Sequence, residues 1–190
     1  MSNTDSPTER RDSLVHHYQH QEVEQQERLQ RVVIISLDEN SGRSVFDWAM
    51  HHFIQPETDM VILVHVRTID IPVAPYISAT GYLDELAELR RQDSHRLLRE
   101  FAHELVHKKI ACKAISMIGD AGTEIVRKAT ETKADALVMG SRNLGVVKRT
   151  LLGSVSDYCV HHCPCTVIVV RPKPHADDTS SQPTARSASE

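Results

Sequence analysis

The sequence predicts an α/β fold in three layers, with a doubly wound sheet of five parallel strands between two layers of helices. Two observations support this prediction. Five short apolar segments rich in β-branched residues alternate with segments that repeat apolar residues at helical spacing. The first two apolar segments and the last are nearly continuous runs, which is typical of strands covered on both sheet faces. With right-handed crossovers and the strand order 3-2-1-4-5, this is a Rossmann-like architecture.

The strands and helices are predicted to follow one another in the order β-α-β-α-β-α-β-α-β. The predicted strands are residues 31–37, 60–66, 111–118, 134–140 and 165–170. Two helical faces are marked by apolar residues, namely Val45, Phe46, Ala49, Met50 and Phe53, and then Leu97, Leu98, Phe101, Ala102 and Leu105. Asp120 and Ser154 are the predicted N-caps of the third and fourth helices.

Composition limits both the number of domains and the classes of function. The 190 residues, 40% of them hydrophobic, suit one domain with additional tails. The formal net charge of -4 does not recruit nucleic acid or an anionic membrane. No apolar run is long enough to span a bilayer, and no secretory or transit peptide is evident. The four cysteines do not resemble a disulfide scaffold, so we expect a reducing, cytoplasmic compartment.

The two ends of the chain differ from its middle. Residues 1–30 are polar and rich in Gln and His, and they have no sustained apolar period, so we expect a disordered extension. Residues 173–190 are rich in Ser, Pro and Asp, and they predict a disordered tail. One folded domain is therefore expected over residues 31–172.

The predicted fold indicates where a ligand should bind. In a sheet of this order the chain changes direction between strands 1 and 4, and ligands bind beyond the carboxyl ends of those strands. Strand 1 ends beside Asp38 and strand 4 ends at Gly140. The two residues should therefore be neighbours, although a hundred positions separate them along the chain.

A glycine-rich segment follows strand 4, with the sequence MGSRNLGVVKRTLLGS over residues 139–154. It lacks both the Walker A pattern and the dinucleotide pattern G-x-G-x-x-G. It matches G-x2-G-x9-G-S/T, with Asn143 in place of the second glycine. Gly140 leaves room for backbone to approach ribose or phosphate, and Gly153 and Ser154 open a helix whose free N–H groups attract anions.

At these residues the chain resembles the universal stress protein family, particularly its ATP-binding type. The resemblance rests on MGSRNLGVVKRTLLGSVSDYCVHHCPCTVIVV and LDENSGRSVFDWAM, and it covers residues 31–172. It implies an adenine nucleotide alpha hydrolase-like fold that binds ATP, with Mg²⁺ as a companion ion, and hydrolyses it slowly at most. The implied nucleotide contacts are Leu37, Asp38, Val66, Met139, Gly140, Ser141, Arg142, Asn143, Gly153, Ser154, Val155 and Ser156.

Asn143 leaves two functions open. Asn tolerates the left-handed backbone conformation, so the chain path of the motif can survive, but its side chain adds bulk where phosphate approaches. The first function is an adenine nucleotide-dependent switch in the stress response. The alternative is a protein-interaction module of the same fold that has lost strong nucleotide binding. Arg142, Lys148 and Arg149 supply countercharge in the first case and are solvated surface cations in the second.

Strand 5, residues Thr166–Val170, is an apolar edge strand without charge or proline, and such an edge predicts a homodimer that pairs two copies of this strand. The resemblance implies the same dimer. The protein partner is unknown. No catalytic motif stands out, and no metal is expected. In CVHHCPC, residues 159–165, the cysteines are spaced too closely for a structural zinc site. We interpret His65, which interrupts strand 2, as a hydrogen-bonded core histidine.

Overall fold

The computed structural model describes residues 12–18, 29–68, 80–141 and 152–171. Its strands are β1 (Asp12–Tyr18), β2 (Arg31–Ser36), β3 (Asp59–Arg67), β4 (Cys112–Ile118), β5 (Ala136–Gly140) and β6 (Thr166–Val170). They form one sheet in the order β1-β4-β3-β2-β5-β6. Strands β2 to β6 are parallel, and their order confirms the predicted 3-2-1-4-5. The prediction of five strands is wrong, because β1 adds a sixth, antiparallel to β4.

Four described helices cover the two faces of the sheet: α1 (Gly42–His52), α2 (Thr80–His107), α3 (Ala121–Glu131) and α4 (Ser154–His162). Helices α1 and α2 pack on one face, in a core that includes Phe46, Leu63 and Phe101. Helices α3 and α4 pack on the other face around Ile62 and Met117. Because β2 and β3 contribute alternate residues to both cores, their sequences are nearly continuous apolar runs. The three-layer prediction is confirmed. Within the described residues, no helix is long and apolar enough to cross a bilayer.

Strand β1 corrects the expectation of disorder for residues 12–18, whereas residues 1–11 and 19–28 lie outside the described residues. Asp12 forms ion pairs with Arg127 at 2.6 Å and with Lys128, both on α3. Ser13 Oγ lies 2.8 Å from His95 Nε2 on α2. Leu14 is 62% exposed, so one side of this edge strand faces solvent. Strand β1 pairs with β4 from Asp12 to Tyr18, and only one of its sides packs on the core, through Val15 and Tyr18. It therefore needs no continuous apolar run, and for that reason the sequence pattern did not reveal it. Residues 173–190 lie outside the described residues.

The two predicted helix caps differ in outcome. Asp120 is the N-cap of α3, and its carboxylate accepts hydrogen bonds from the N–H and the hydroxyl of Thr123, at 2.9 and 2.7 Å. Ser154 is not the N-cap of α4, because Gly153 holds that position with extended backbone angles. The Gly153 carbonyl accepts the first helical hydrogen bond from Asp157 N at 2.8 Å. Ser154 is therefore the first helical residue, one position later than predicted.

Candidate functional site

A cavity of about 80 Å³ lies beyond the carboxyl ends of β2 and β5, at the predicted point where the sheet changes direction. Strand ends, the turn before α1 and the first turns of α3 and α4 surround it. Its lining residues are Ser36, Leu37, Asp38, His65, Val66, Ala121, Ile125, Met139, Gly140, Gly153, Val155 and Ser156.

Most of the predicted contacts meet at this cavity. The structure brings together Leu37, Asp38, Val66, Met139, Gly140, Gly153, Val155 and Ser156. Ser141 and Ser154 are described but do not line the cavity: Ser141 N donates to Val170 O at 2.9 Å, and Ser154 is exposed. Arg142 and Asn143, together with the cations Lys148 and Arg149, lie outside the described residues.

Asp38 shapes the turn between β2 and α1. Its Oδ1 accepts hydrogen bonds from the N–H groups of Asn40 and Ser41, each at 2.8 Å. Its Oδ2 accepts a hydrogen bond from the Ser41 hydroxyl. A carboxylate has about four acceptor positions, so Asp38 can still accept a hydrogen bond from a ligand in the cavity.

Gly140 is required by this turn rather than by a ligand alone. A Cβ at Gly140 would lie 2.2 Å from Ser41 Oγ and 2.9 Å from Ser41 Cβ. Its φ is outside the left-handed region, so steric contact, and not backbone conformation, explains the glycine. The sequence predicts that the missing Cβ leaves room for ribose or phosphate to approach. The structure assigns that space to Ser41.

The beginning of α4 forms the opposite wall. Gly153 and Ser156 are buried, and the Ser156 hydroxyl donates to the Gly153 carbonyl at 2.9 Å. The first N–H groups of a helix have no acceptor within it, so those of residues 154–156 are available to an anion. The helix dipole adds partial positive charge at the same end. This wall can therefore hold a negatively charged group.

Four lining residues are not among those that the sequence predicts. Ala121 and Ile125 come from the first two turns of α3, and Ser36 and His65 come from the C-terminal parts of strands β2 and β3. A signal for α3 was available, since Asp120 caps that helix directly after the third predicted strand. A helix that starts at the carboxyl end of a parallel strand places its first turn beside the ligand crevice.

Two electrostatic features distinguish the cavity. Burial lowers the pKa of His65 below its ordinary value, although the carboxylates of Glu39 and Asp38 act in the opposite direction. His65 Nδ1 is hydrogen-bonded to Ser94 Oγ at 2.8 Å, in agreement with its interpretation as a core histidine. No Lys or Arg occurs among the described lining residues, so their positive potential comes from the N-termini of helices, that of α4 and that of α3, which Asp120 caps.

The cysteine-rich corner at the end of α4 has different chemistry. Burial raises the pKa of the Cys159 thiol to about 11 and that of Cys163 to about 12. Both thiols are therefore protonated at neutral pH, and a protonated thiol is a poor metal ligand and a poor nucleophile. Among the residues that the structure describes, no group of three or more His, Cys, Asp or Glu side chains is arranged to hold a metal ion.

Comparison with protein families and curated sequences gives consistent results. The model of the Universal stress protein family matches residues 12–171. The chain is 28% identical over 150 residues to the Universal stress protein A-like protein of Arabidopsis thaliana, with 75% of this chain and 84% of that protein covered. It is 32% identical over 160 residues to Universal stress protein PHOS32 of the same organism. That match covers 73% of this chain and 63% of PHOS32.

Solved structures share the fold. One is universal stress protein UspA from Lactobacillus plantarum, with a TM-score of 0.64 and 20% identity over 75% of this chain and 99% of that one. Another is a universal stress protein family protein from Arabidopsis thaliana with AMP bound. It has a TM-score of 0.57 and 22% identity, and the match covers 80% of this chain and 97% of that one.

Proposed function

The chain belongs to the universal stress protein family, and from this premise we propose that the cavity beyond β2 and β5 binds an adenine nucleotide, with ATP as the ligand in the cytoplasm. One observation carries the proposal: an acidic strand end, Asp38, and the N-terminus of α4 face each other across one cavity. The related Arabidopsis structure with AMP bound supports the same ligand class.

The residues of the cavity suit the parts of a nucleotide. Leu37, Val66 and Ile125 offer apolar surface to a base. Asp38 keeps acceptor positions for an N–H or O–H of the base or ribose. Phosphates would lie at the free N–H groups of residues 154–156, where the helix dipole favours negative charge. Mg²⁺ would offset the additional charge of ATP relative to AMP. Binding would act as a switch on conformation or on the choice of protein partner.

Isothermal titration with AMP, ATP with and without Mg²⁺, and GTP tests the nucleotide proposal. Gly153→Val places a branched side chain at the phosphate wall, and the extended backbone at Gly153 is one that valine adopts readily. We expect it to abolish adenine nucleotide binding while the far-UV circular dichroism stays unchanged. Leu152→Val is the matched control, because Leu152 is 41% exposed and does not line the cavity. Equal affinity in the wild type and Gly153→Val would refute the site.

A second candidate function is a protein-interaction module without strong nucleotide binding. The observation that favours it is the cavity volume of about 80 Å³, since pockets for small ligands usually measure about 300–1,000 Å³. A nucleotide would have to widen the cavity or lie partly along its open mouth. The titration separates the two functions: absence of binding by the wild type up to millimolar nucleotide supports the interaction module.

We also propose a homodimer through the edge of β6 that pairs with no other described strand. The described sheet has β1 at its other edge, and the two edge strands differ. Strand β1 carries a bulge between Leu14 and His16, a feature that discourages pairing with another strand. Strand β6 pairs regularly with β5, from Thr166 to Val170, and has no charge or proline. Two copies joined antiparallel across a two-fold axis would satisfy both β6 edges at once.

Sedimentation velocity at micromolar concentration tests the dimer. Val169→Lys adds a charge to the β6 edge, and we expect it to shift the protein from dimer to monomer. Leu14→Lys controls for the added charge alone, because Leu14 lies on the opposite edge strand and is 62% exposed, whereas Val169 is partly buried against the core. We expect this control to remain dimeric. A wild-type protein that sediments as a monomer would end the proposal.

A further inference from the structure

A second, larger cavity of about 320 Å³ lies at the carboxyl end of β3, on the face covered by α1 and α2. It is lined by Glu39, His65, Val66, Arg67, Thr68, Arg90 and Asp93, of which His65 and Val66 also line the first cavity. Neither Arg67 nor Arg90 belongs to the proposed nucleotide site. This volume falls within the usual range for a small-molecule pocket of about 300–1,000 Å³.

Arg67 is held in place by a chain of buried hydrogen bonds. Its Nε donates to Ser116 Oγ at 3.1 Å. Ser116 Oγ lies 2.7 Å from Ser94 Oγ, which in turn lies 2.8 Å from His65 Nδ1. Ser94 and Ser116 are 1% and 0% exposed. A satisfied buried network of this kind fixes the orientation of its members, so the guanidinium is pre-organised rather than free on the surface.

The positive charge of Arg67 has no direct counter-ion among the described residues. Its pKa is lowered by burial and by nearby Arg91, only partly offset by Glu88. The carboxylate of Glu88 is engaged in a bidentate pair with Arg91, at 2.7 Å for each hydrogen bond. Apart from the bond to Ser116, the guanidinium of Arg67 makes no hydrogen bond to another described residue.

The acidic residues at the border do not neutralise this charge. Asp93 is paired with Arg96 at 2.8 Å. Glu39 and Asp93 are both exposed, whereas Arg67 and Arg90 are half-buried. Water screens an exposed carboxylate more effectively than a half-buried guanidinium. The charge of Arg67 is therefore the least compensated one that the described residues bring to this cavity.

We propose that this cavity binds a small organic anion through a carboxylate or phosphate group, with Arg67 as its main contact and Arg90 beside it. The two terminal nitrogens of Arg67 match the paired oxygens of such a group. Arg90 Nη1 lies 3.4 Å from the Thr68 carbonyl, so its side chain extends across the same cavity. His65, neutral because burial lowers its pKa, adds a polar wall without repelling the anion.

Isothermal titration at low ionic strength tests this site with two probes, malonate for carboxylates and pyrophosphate for phosphates. Arg67→Gln should weaken binding by about tenfold or more, since a hydrogen bond to a charged group contributes that much. Glu39→Gln should tighten it, because a like charge leaves the border. Arg99→Gln removes a positive charge from an exposed position of α2 that does not line the cavity, and it should bind as the wild type does.

Several outcomes would overturn the proposal. Wild-type protein that binds neither probe at millimolar concentration excludes the site, and so does unchanged affinity in Arg67→Gln. If Arg67→Gln fails to fold, Arg67→Lys replaces it, because lysine keeps the charge but lacks the paired donors of arginine. An affinity of Arg67→Lys equal to that of the wild type counts against the site. Loss of binding in Gly153→Val would assign the anion to the nucleotide cavity instead. Failure of AMP to bind leaves this second site unaffected.

Discussion

Replacing Gly140 by alanine tests how the turn before α1 fits against the end of β5. The new Cβ would lie 2.2 Å from Ser41 Oγ, 2.9 Å from Ser41 Cβ and 3.1 Å from Val45 Cγ2. A carbon and an oxygen atom that are not bonded to each other cannot lie only 2.2 Å apart, so the turn must move. Ser41 is 4% exposed and its hydroxyl is hydrogen-bonded to Asp38, so it has little room to yield.

The expected magnitude follows from the cost of overpacking, about 1–3 kcal/mol in a well-packed core. With a urea dependence of about 2 kcal/mol/M, the unfolding midpoint of Gly140→Ala should fall by about 0.5–1.5 M. Ser41→Gly removes both clashing atoms of the serine, and it should itself cost about 1–2 kcal/mol through its lost hydrogen bond and added flexibility. The double variant should then be more stable than the sum of the two losses predicts, by about 1 kcal/mol or more.

Gly42→Ala is the matched control for this experiment. A Cβ at Gly42 would lie 3.6 Å from Leu37 Cβ, which is an ordinary contact. Alanine also favours a helix over glycine by up to about 1 kcal/mol. We expect no loss of stability, and a gain of up to that amount. The loss of stability in the double variant is compared with the sum of the losses in Gly140→Ala and Ser41→Gly. Agreement of the two values within about 0.5 kcal/mol would refute the steric explanation.

Three further predictions concern the nucleotide, the edge strand and pH. Asn143→Gly should tighten ATP binding about tenfold in a titration, if its side chain crowds the phosphates. Asp12→Asn weakens the ion pairs with Arg127 and Lys128, so hydrogen exchange should show β1 amides losing protection before those of β3. Burial lowers the pKa of His65 and His95, so the unfolded chain takes up protons first as pH falls. The free energy of unfolding, measured with urea, should therefore decrease as the pH is lowered below about 6.5. In His65→Gln the decrease should be less steep.

The sequence was sufficient for the five parallel strands and for the location of a cavity at the carboxyl ends of β2 and β5. A strand that is buried on both faces has a nearly continuous apolar sequence, as β2 does. Asp120 is a local capping signal for the start of α3. Strand β1 could not be predicted in this way, because its contacts are made with distant parts of the chain. Asp12, for example, pairs with Arg127 and Lys128, which follow it by 115 and 116 positions. The role of Gly140 was also out of reach, since the atom that requires it belongs to Ser41 on another element.

The end of β3 joins the two proposed sites and makes their coupling testable. Strand β3 pairs with β2 only as far as Val64, but with β4 as far as Arg67. Successive side chains point to opposite faces, so Val66 packs towards α3 and α4 while Arg67 bonds to Ser116 beside α2. The end of β3 is paired only with β4, so we expect that it can shift. A shift that improves the fit of AMP on one face would change the fit of malonate on the other. By linkage, malonate should then change the AMP dissociation constant by the same factor by which AMP changes that of malonate. Equal AMP affinity with and without saturating malonate, when both ligands bind, would show that the strand end is rigid.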